Sequence, residues 1–257
     1  MNPREQIWNV QIDVVRMTQL IDVLVQVCNG GEKTKTLFCA NPHSLVTAAS
    51  DREFLSALRS ADYLIPDGAG IVLASKITNG KIRERVSGPD VLEQLTRRLQ
   101  QLGGHSYFFL GSTQETLDGL MRRMHDDFPF IEVKGTFTPM YSDEMPEDEI
   151  ERIISLINRM RPSVVWVGMT APKQEKWVMR HRQRMENTKL ICAVGAGFDF
   201  FSGMKKRSPA WARENYLEWF PRFLREPFRL WRRNIISTPV FLLNVMKRTL
   251  SGKNRPQ

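Results

Sequence analysis

Asp67 stands in the run Ile65-Pro66-Asp67-Gly68-Ala69-Gly70, between a stretch that reads as a strand and one that reads as a helix. A carboxylate at that junction has two uses. It can cap the helix that begins near Ala69, or it can take a proton from a hydroxyl presented at the strand end. Asn41, followed by Pro42 and His43, is similarly open: a turn residue, or an amide that reads a sugar hydroxyl. The run from Gly168 to Glu175 (GMTAPKQE) is more specific. Pro172 suits the opening of a helix, which leaves backbone N–H groups on offer just ahead of Lys173 and Gln174. The plain reading is a capped helix start with solvated polar residues; the sharper one is a nucleotide subsite with Gln174 on the base or ribose. Arg85, between Glu84 and Val86, is either a surface charge or a phosphate ligand.

Several chemistries find no residues. His43, His105, His125 and His181 show no metal-ligand spacing, and there is no D-x-D pair. The chain has no P-loop, no full G-x-G-x-x-G and no G-x-S-x-G elbow around Ser112. These gaps count against kinases, ATPases, dinucleotide dehydrogenases and hydrolases, and no metal or cofactor is expected.

The elements that would position these residues alternate along the chain. Lys35–Cys39, Tyr63–Ile65, Ser106–Leu110, Ile131–Gly135, Val164–Gly168 and Leu190–Val194 read as buried strands. Between them, Met17–Cys28, Asp51–Ser60, Ala69–Asn79, Val91–Leu102, Gln114–Asp127, Glu147–Met160 and Lys173–Arg184 read as helices. The alternation predicts an α/β fold, a mostly parallel sheet with helices on both faces. Such sheets bind ligands at the carboxyl ends of their strands. Five strands end there in small, polar or turn-forming residues: Asn41–Pro42, Pro66–Gly68, Gly111–Ser112, Gly168–Glu175 and Gly195–Gly197. One such end is an ordinary turn, but five together predict a rim of backbone amides suited to phosphate.

Charge divides the 257 residues unevenly. Residues 204–257 hold 13 of the 37 Lys and Arg and only 3 acids, a net of +10, whereas residues 1–203 carry −1. The tail also holds Trp211, Trp219 and Trp231. The expected organisation is a core over 1–203 and a basic, aromatic appendage over 204–257, built to meet an anion or an interface. In the blander account of the tail, Trp211 and Trp219 pack on the core and the arginines do the binding. The three cysteines form no CxxC, and the first residues lack a leader's basic start and apolar run. The longest apolar candidate, Ile235 to Met246, is too short to span a bilayer. These features favour a cytoplasmic protein resting on the inner face of a membrane.

Taken in order, NPH, IPDGAG, ERVSGPD, YFFLGS, VGMTAPKQEKW, GAGFDFFSG, RSPAW and YLEWFPRFLREPFRLWRR resemble the WecG/TagA/CpsF group of bacterial glycosyltransferases, glycosyltransferase family 26. The resemblance runs from about Val10 to Arg233. It implies a Rossmann-like core, a UDP-sugar donor, a polyprenyl-diphosphate-linked acceptor, inversion at the anomeric carbon and no metal. It also implies self-association and a C-terminal helical appendage that docks on an anionic membrane and completes the site. Carried over by position, Asp67 is the general base and Asn41 belongs to a T-x-N element. Cys39 stands where that element usually has Thr, and a thiol hydrogen-bonds weakly. Arg85 is a site arginine, and Gln174, beside Lys173 and with Gly195 on another strand end, contacts the nucleotide. Arg222, Arg229 and Arg232 grip diphosphate. A metal-free transferase must neutralise a departing UDP with Arg and N–H groups, and the planar fork of Arg suits phosphate better than Lys.

Two other readings compete. A basic, aromatic tail also suits a nucleic-acid binder, but no recognition module is visible and no nucleic-acid partner is expected. A non-catalytic membrane scaffold on the same fold is left room by Cys39.

Overall fold

The computed structural model describes residues 3–30, 33–140, 145–209, 211–212, 220–221 and 231–251. The chain opens with an antiparallel hairpin, β1 (Arg4–Ile7) and β2 (Val10–Asp13). No strand is expected from the sequence before Lys35. The turn is Trp8-Asn9 rather than an Asn-Gly or Asp-Gly pair, with Trp8 at φ 51°, and the strands mix charges with apolar residues. Helix α1 (Met17–Gly30) leads into β3 (Lys35–Ala40). Then come α2 (Pro42–Ser50), α3 (Arg52–Arg59), β4 (Tyr63–Pro66), α4 (Ala69–Ile77) and α5 (Gly88–Leu102). The alternation continues through β5 (His105–Gly111), α6 (Gln114–Asp127), β6 (Ile131–Phe137), α7 (Glu147–Met160) and β7 (Val164–Gly168). Helix α8 (Lys173–His181), β8 (Leu190–Ala193) and the short α9 (Gly197–Phe201) follow. The last described helix is α10 (Thr238–Leu250), preceded by a π-helical segment over Arg232–Ser237.

Strands β3 to β8 form one six-stranded, mostly parallel sheet in the order β4-β3-β8-β7-β5-β6. The β3–β8, β8–β7, β7–β5 and β5–β6 pairs are parallel. All seven residues of β5 and all four of β8 are buried, so the sheet is covered on both faces there, as the continuous apolar runs require. Two helices lie where the sequence reading has turns. Helix α2 is nine residues rich in Ser, Thr and Val, and α9 is five residues, both too short for a helical period to stand out.

Contacts divide the chain into two compact units that do not follow chain order. The first comprises Met1–Met17, Cys39–Ser87 and Lys206–Gln257; the second comprises Thr18–Phe38 and Gly88–Lys205. The core of the second is aromatic: Tyr107 meets Trp166 edge-on at 5.7 Å, and Phe109 meets Phe198 at 5.5 Å. Gly168 makes the latter packing feasible. A Cβ there would lie 2.3 Å from the Phe198 ring, so only glycine lets α9 close over the end of β7. In the first unit, α10 buries Phe241 and Val245 completely. Phe241 lies 6.2 Å from the Trp8 ring, His43 Nδ1 is 2.9 Å from Ser237 Oγ, and Arg248 hydrogen-bonds to the Trp8 carbonyl. The hairpin turn and α2 together seat the C-terminal helix.

Candidate functional site

In the first unit, backbone hydrogen bonds gather three of the expected site residues. The Asp67 N–H donates to the Ala40 carbonyl at 2.8 Å, which sets Asp67 beside Asn41. The Val86 N–H donates to the Pro66 carbonyl at 2.9 Å, which brings Arg85 to the same strand end. The segment carrying Arg85 is itself held. The Glu5 carboxylate on β1 accepts from the Lys81 N–H (2.6 Å), the Ile82 N–H (3.1 Å) and the Ser75 hydroxyl (3.1 Å), and Glu84 accepts from the Met17 N–H at 3.1 Å. Buried Asp13 on β2 does the same for the start of β4. It accepts from the Leu64 N–H at 2.6 Å and from Arg4 Nε at 3.2 Å. Its desolvation raises the carboxyl above the usual carboxylate value despite both donors. The hairpin is thus the clamp behind the rim, and the sequence reading assigned it no role.

The N-cap of α4 is Gly68, which has no side chain with which to cap that helix. Asp67, the residue before that cap, is half-buried. Asn41 is different. It is the N-cap of α2, where its Oδ1 accepts from the Ser44 N–H at 3.0 Å and Ser44 Oγ accepts from the Asn41 N–H at 2.8 Å, a capping box. Its Nδ2 group takes no part in those bonds. Cys39 is buried in β3, two residues ahead.

The second unit carries Lys173, Gln174 and Gly195. Pro172 is the N-cap of α8 and Lys173 its first residue, as the motif predicts to within one position. Gln174 and its neighbour Glu175 are 3 % and 2 % exposed. Gln174 Nε2 donates to Glu175 Oε1 at 2.8 Å. Gln174 Oε1 and Glu175 Oε2 are buried acceptors with no hydrogen-bond partner. Each such acceptor costs about 1–3 kcal/mol if nothing meets it. Burial, opposed by the Gln174 hydrogen bond, pushes the Glu175 carboxyl up to about 7. Gly195 has φ +52°, a left-handed backbone that favours glycine, and a Cβ there would sit 3.6 Å from Gln174 Nε2 and 3.7 Å from Oε1. Sequence reasoning quoted Glu175 within its motif and gave it no role; its place directly after Gln174 was the available signal.

Arg222 and Arg229 lie outside the described residues, as does Trp219, and Arg232 is described only as part of the π-helical segment. Trp211, expected in the core, is 55 % exposed. Its helical turn, Trp211-Ala212, buries the alanine instead. Helix α10 leaves Val240, Leu243, Met246 and Leu250 exposed beside Lys247. Among the described residues, no helix is long and apolar enough to cross a membrane, and no three His, Cys, Asp or Glu gather as a metal site.

The family model for the glycosyl transferase WecG/TagA/CpsF family matches residues 5–255. The chain is 29 % identical over 249 residues to a Bacillus subtilis (strain 168) protein named N-acetylglucosaminyldiphosphoundecaprenol N-acetyl-beta-D-mannosaminyltransferase, covering 97 % of this chain and 93 % of that one. Proteins of the same name from Bacillus spizizenii and Staphylococcus aureus (strain MW2) are 30 % and 28 % identical. They span 92 % and 94 % of this chain, and 89 % and 91 % of their own.

Proposed function

Because the chain belongs to the glycosyl transferase WecG/TagA/CpsF family, we propose that it moves an N-acetylmannosamine-like sugar or another hexose from a UDP-sugar to a polyprenyl-diphosphate-linked saccharide in cell-surface polysaccharide synthesis. The names of its relatives support a lipid-linked acceptor bearing N-acetylglucosamine. The observation that carries the chemistry is Asp67 at the strand end beside Asn41 and Arg85.

In this reading the Asp67 carboxylate takes the proton of the acceptor hydroxyl as that oxygen attacks the anomeric carbon. The bond from that carbon to the UDP oxygen breaks on the opposite face, so the configuration inverts. Arg85 and the tail arginines Arg222, Arg229 and Arg232 neutralise the departing diphosphate, with no metal required. The Asn41 Nδ2 group donates to a sugar oxygen. Lys173, Gln174 and the backbone at Gly195 hold the nucleotide. Cys39, offering only a weak hydrogen bond where relatives of the T-x-N pattern carry a hydroxyl, shifts the sugar preference. Residues 204–257 act as a basic appendage on the inner face of the membrane. The apolar stripe of α10, flanked by Lys247, supports such interfacial seating.

The test is incubation with a panel of UDP-sugars and polyprenyl-diphosphate-linked N-acetylglucosamine, with mass spectrometry of the lipid. One added hexose residue on the lipid is the expected result; an unchanged lipid with every donor rejects the reading.

A further inference from the structure

Gln174 can present either end of its amide to a ligand, since the carbonyl and the NH2 group are nearly the same size. Which end it presents decides which ligand edge it accepts. In this chain the choice is made by Glu175. A carboxylate can only accept, so the short contact at 2.8 Å fixes Gln174 Nε2 toward Glu175 Oε1. The amide carbonyl is then left pointing elsewhere, buried and without a partner. A Cβ at Gly195 would come within 3.6 Å of Gln174 Nε2 and 3.7 Å of its carbonyl oxygen, so glycine there keeps that residue's side chain off the amide. Both residues are almost wholly buried, so solvent does not complete the pair.

We propose that Glu175 is a positioning residue: it locks the Gln174 amide with its carbonyl oxygen as the ligand-facing acceptor, and thereby selects a nucleobase that offers a ring N–H. A uracil-type base carries that N–H, whereas cytosine carries a lone pair at the same ring position and meets the carbonyl with like against like. The proposal rests on the reading that the donor's nucleotide sits at Gln174. Buried hydrogen-bonding groups discriminate strongly because the wrong partner leaves them unpaired. Without the lock the amide turns over, offers NH2, and accepts the cytosine edge.

The test is calorimetric binding of UDP and of CDP to the full chain at pH 8.5, above the value of about 7 to which burial raises Glu175. The wild-type chain is expected to prefer UDP by at least about tenfold. Glu175→Gln replaces the carboxylate with a group that can donate or accept, and should narrow the preference to within about threefold. With the donor sugar, KM should rise about tenfold while kcat stays within about threefold, because uniform binding is lost and not the chemistry. The exchanged double variant Gln174→Glu with Glu175→Gln places an acceptor-only group toward the ligand and should restore a preference of about tenfold. Glu175→Gln with an unchanged UDP preference overturns the positioning role. If that variant fails to fold, the exchanged variant decides, and equal affinity for UDP and CDP there overturns it too. Two other results reject the nucleotide reading itself: a wild-type chain that binds no UDP, or Gln174→Ala binding both nucleotides as the wild type does.

Discussion

The rim of the first unit and the buried pair of the second are both polar, yet they are built in opposite ways. Around Asp67 the supporting hydrogen bonds are made within the protein: backbone to backbone at Ala40 and Pro66, and carboxylate to loop at Glu5. Asn41 spends its Oδ1 on the cap of α2. The groups that would meet a substrate there are half-buried and held from behind. At Gln174 and Glu175 the balance is reversed, with two acceptors buried and unmet. A group that must change its protonation during a reaction needs a rigid mount and access to solvent or substrate. A group that must tell one edge from another gains most from burial, where a mismatch has no water to repair it.

Asp67→Asn tests the first half most severely. Transfer should fall about 10³-fold, while UDP affinity stays within about threefold, because only the proton acceptor is lost. Single-turnover rates and calorimetry separate the two, and a variant with near-normal turnover sinks the base assignment.

Glu175→Gln tests the second half through stability. A carboxyl raised from 4.5 to about 7 holds its proton more tightly in the folded chain. Its contribution to stability is whole below pH 4.5 and is lost as pH rises through about 7. The neutral variant lacks that loss, so relative to wild type it should gain on the order of 3 kcal/mol between pH 4.5 and pH 8. Urea unfolding at the two pH values measures it. A pH-independent difference would mean that Glu175 is not desolvated in the folded chain.

Asn41 divides mounting from contact. Asn41→Ala should cost about 1 kcal/mol of stability through the cap, and Asn41→Ser should keep most of it. Both lose Nδ2, so both should lose about tenfold in transfer rate if that group donates to the sugar. Activity that tracks stability instead would reduce Asn41 to a cap. The smallest effect on transfer is expected for Cys39→Thr, which brings a hydroxyl and one extra methyl group to a buried strand position and should cost about 1–3 kcal/mol of stability. Its readout is the ranking of donor sugars, and an unchanged ranking removes Cys39 from the site.

Much of this was legible in the residues. All six main strands were placed from their apolar β-branched runs, and α6 and α7 were placed to the residue. The motif around Pro172 placed α8 because proline restricts the backbone locally. What escaped was short or non-local. The β1–β2 hairpin has no strong turn signal, and its worth lies in Glu5 and Asp13, which act on backbone more than 50 residues away. The cap of α2 uses Ser at its fourth position rather than Glu or Gln, so the usual signature is missing. Trp211 shows the limit of composition: an aromatic side chain is welcome in a core, but nothing local says whether a core is within reach.

By itself, the sequence determined the α/β class, the family and the short list of residues able to do chemistry, because periodicity, glycine and proline chemistry and ordered motifs are local properties of the chain. Only the tertiary structure joined Asn41 and Arg85 to Asp67 and revealed that Glu175 faces Gln174 with acceptors to spare. Those outcomes depend on which backbone groups remain unpaired once distant segments have met, and no window of sequence contains that account.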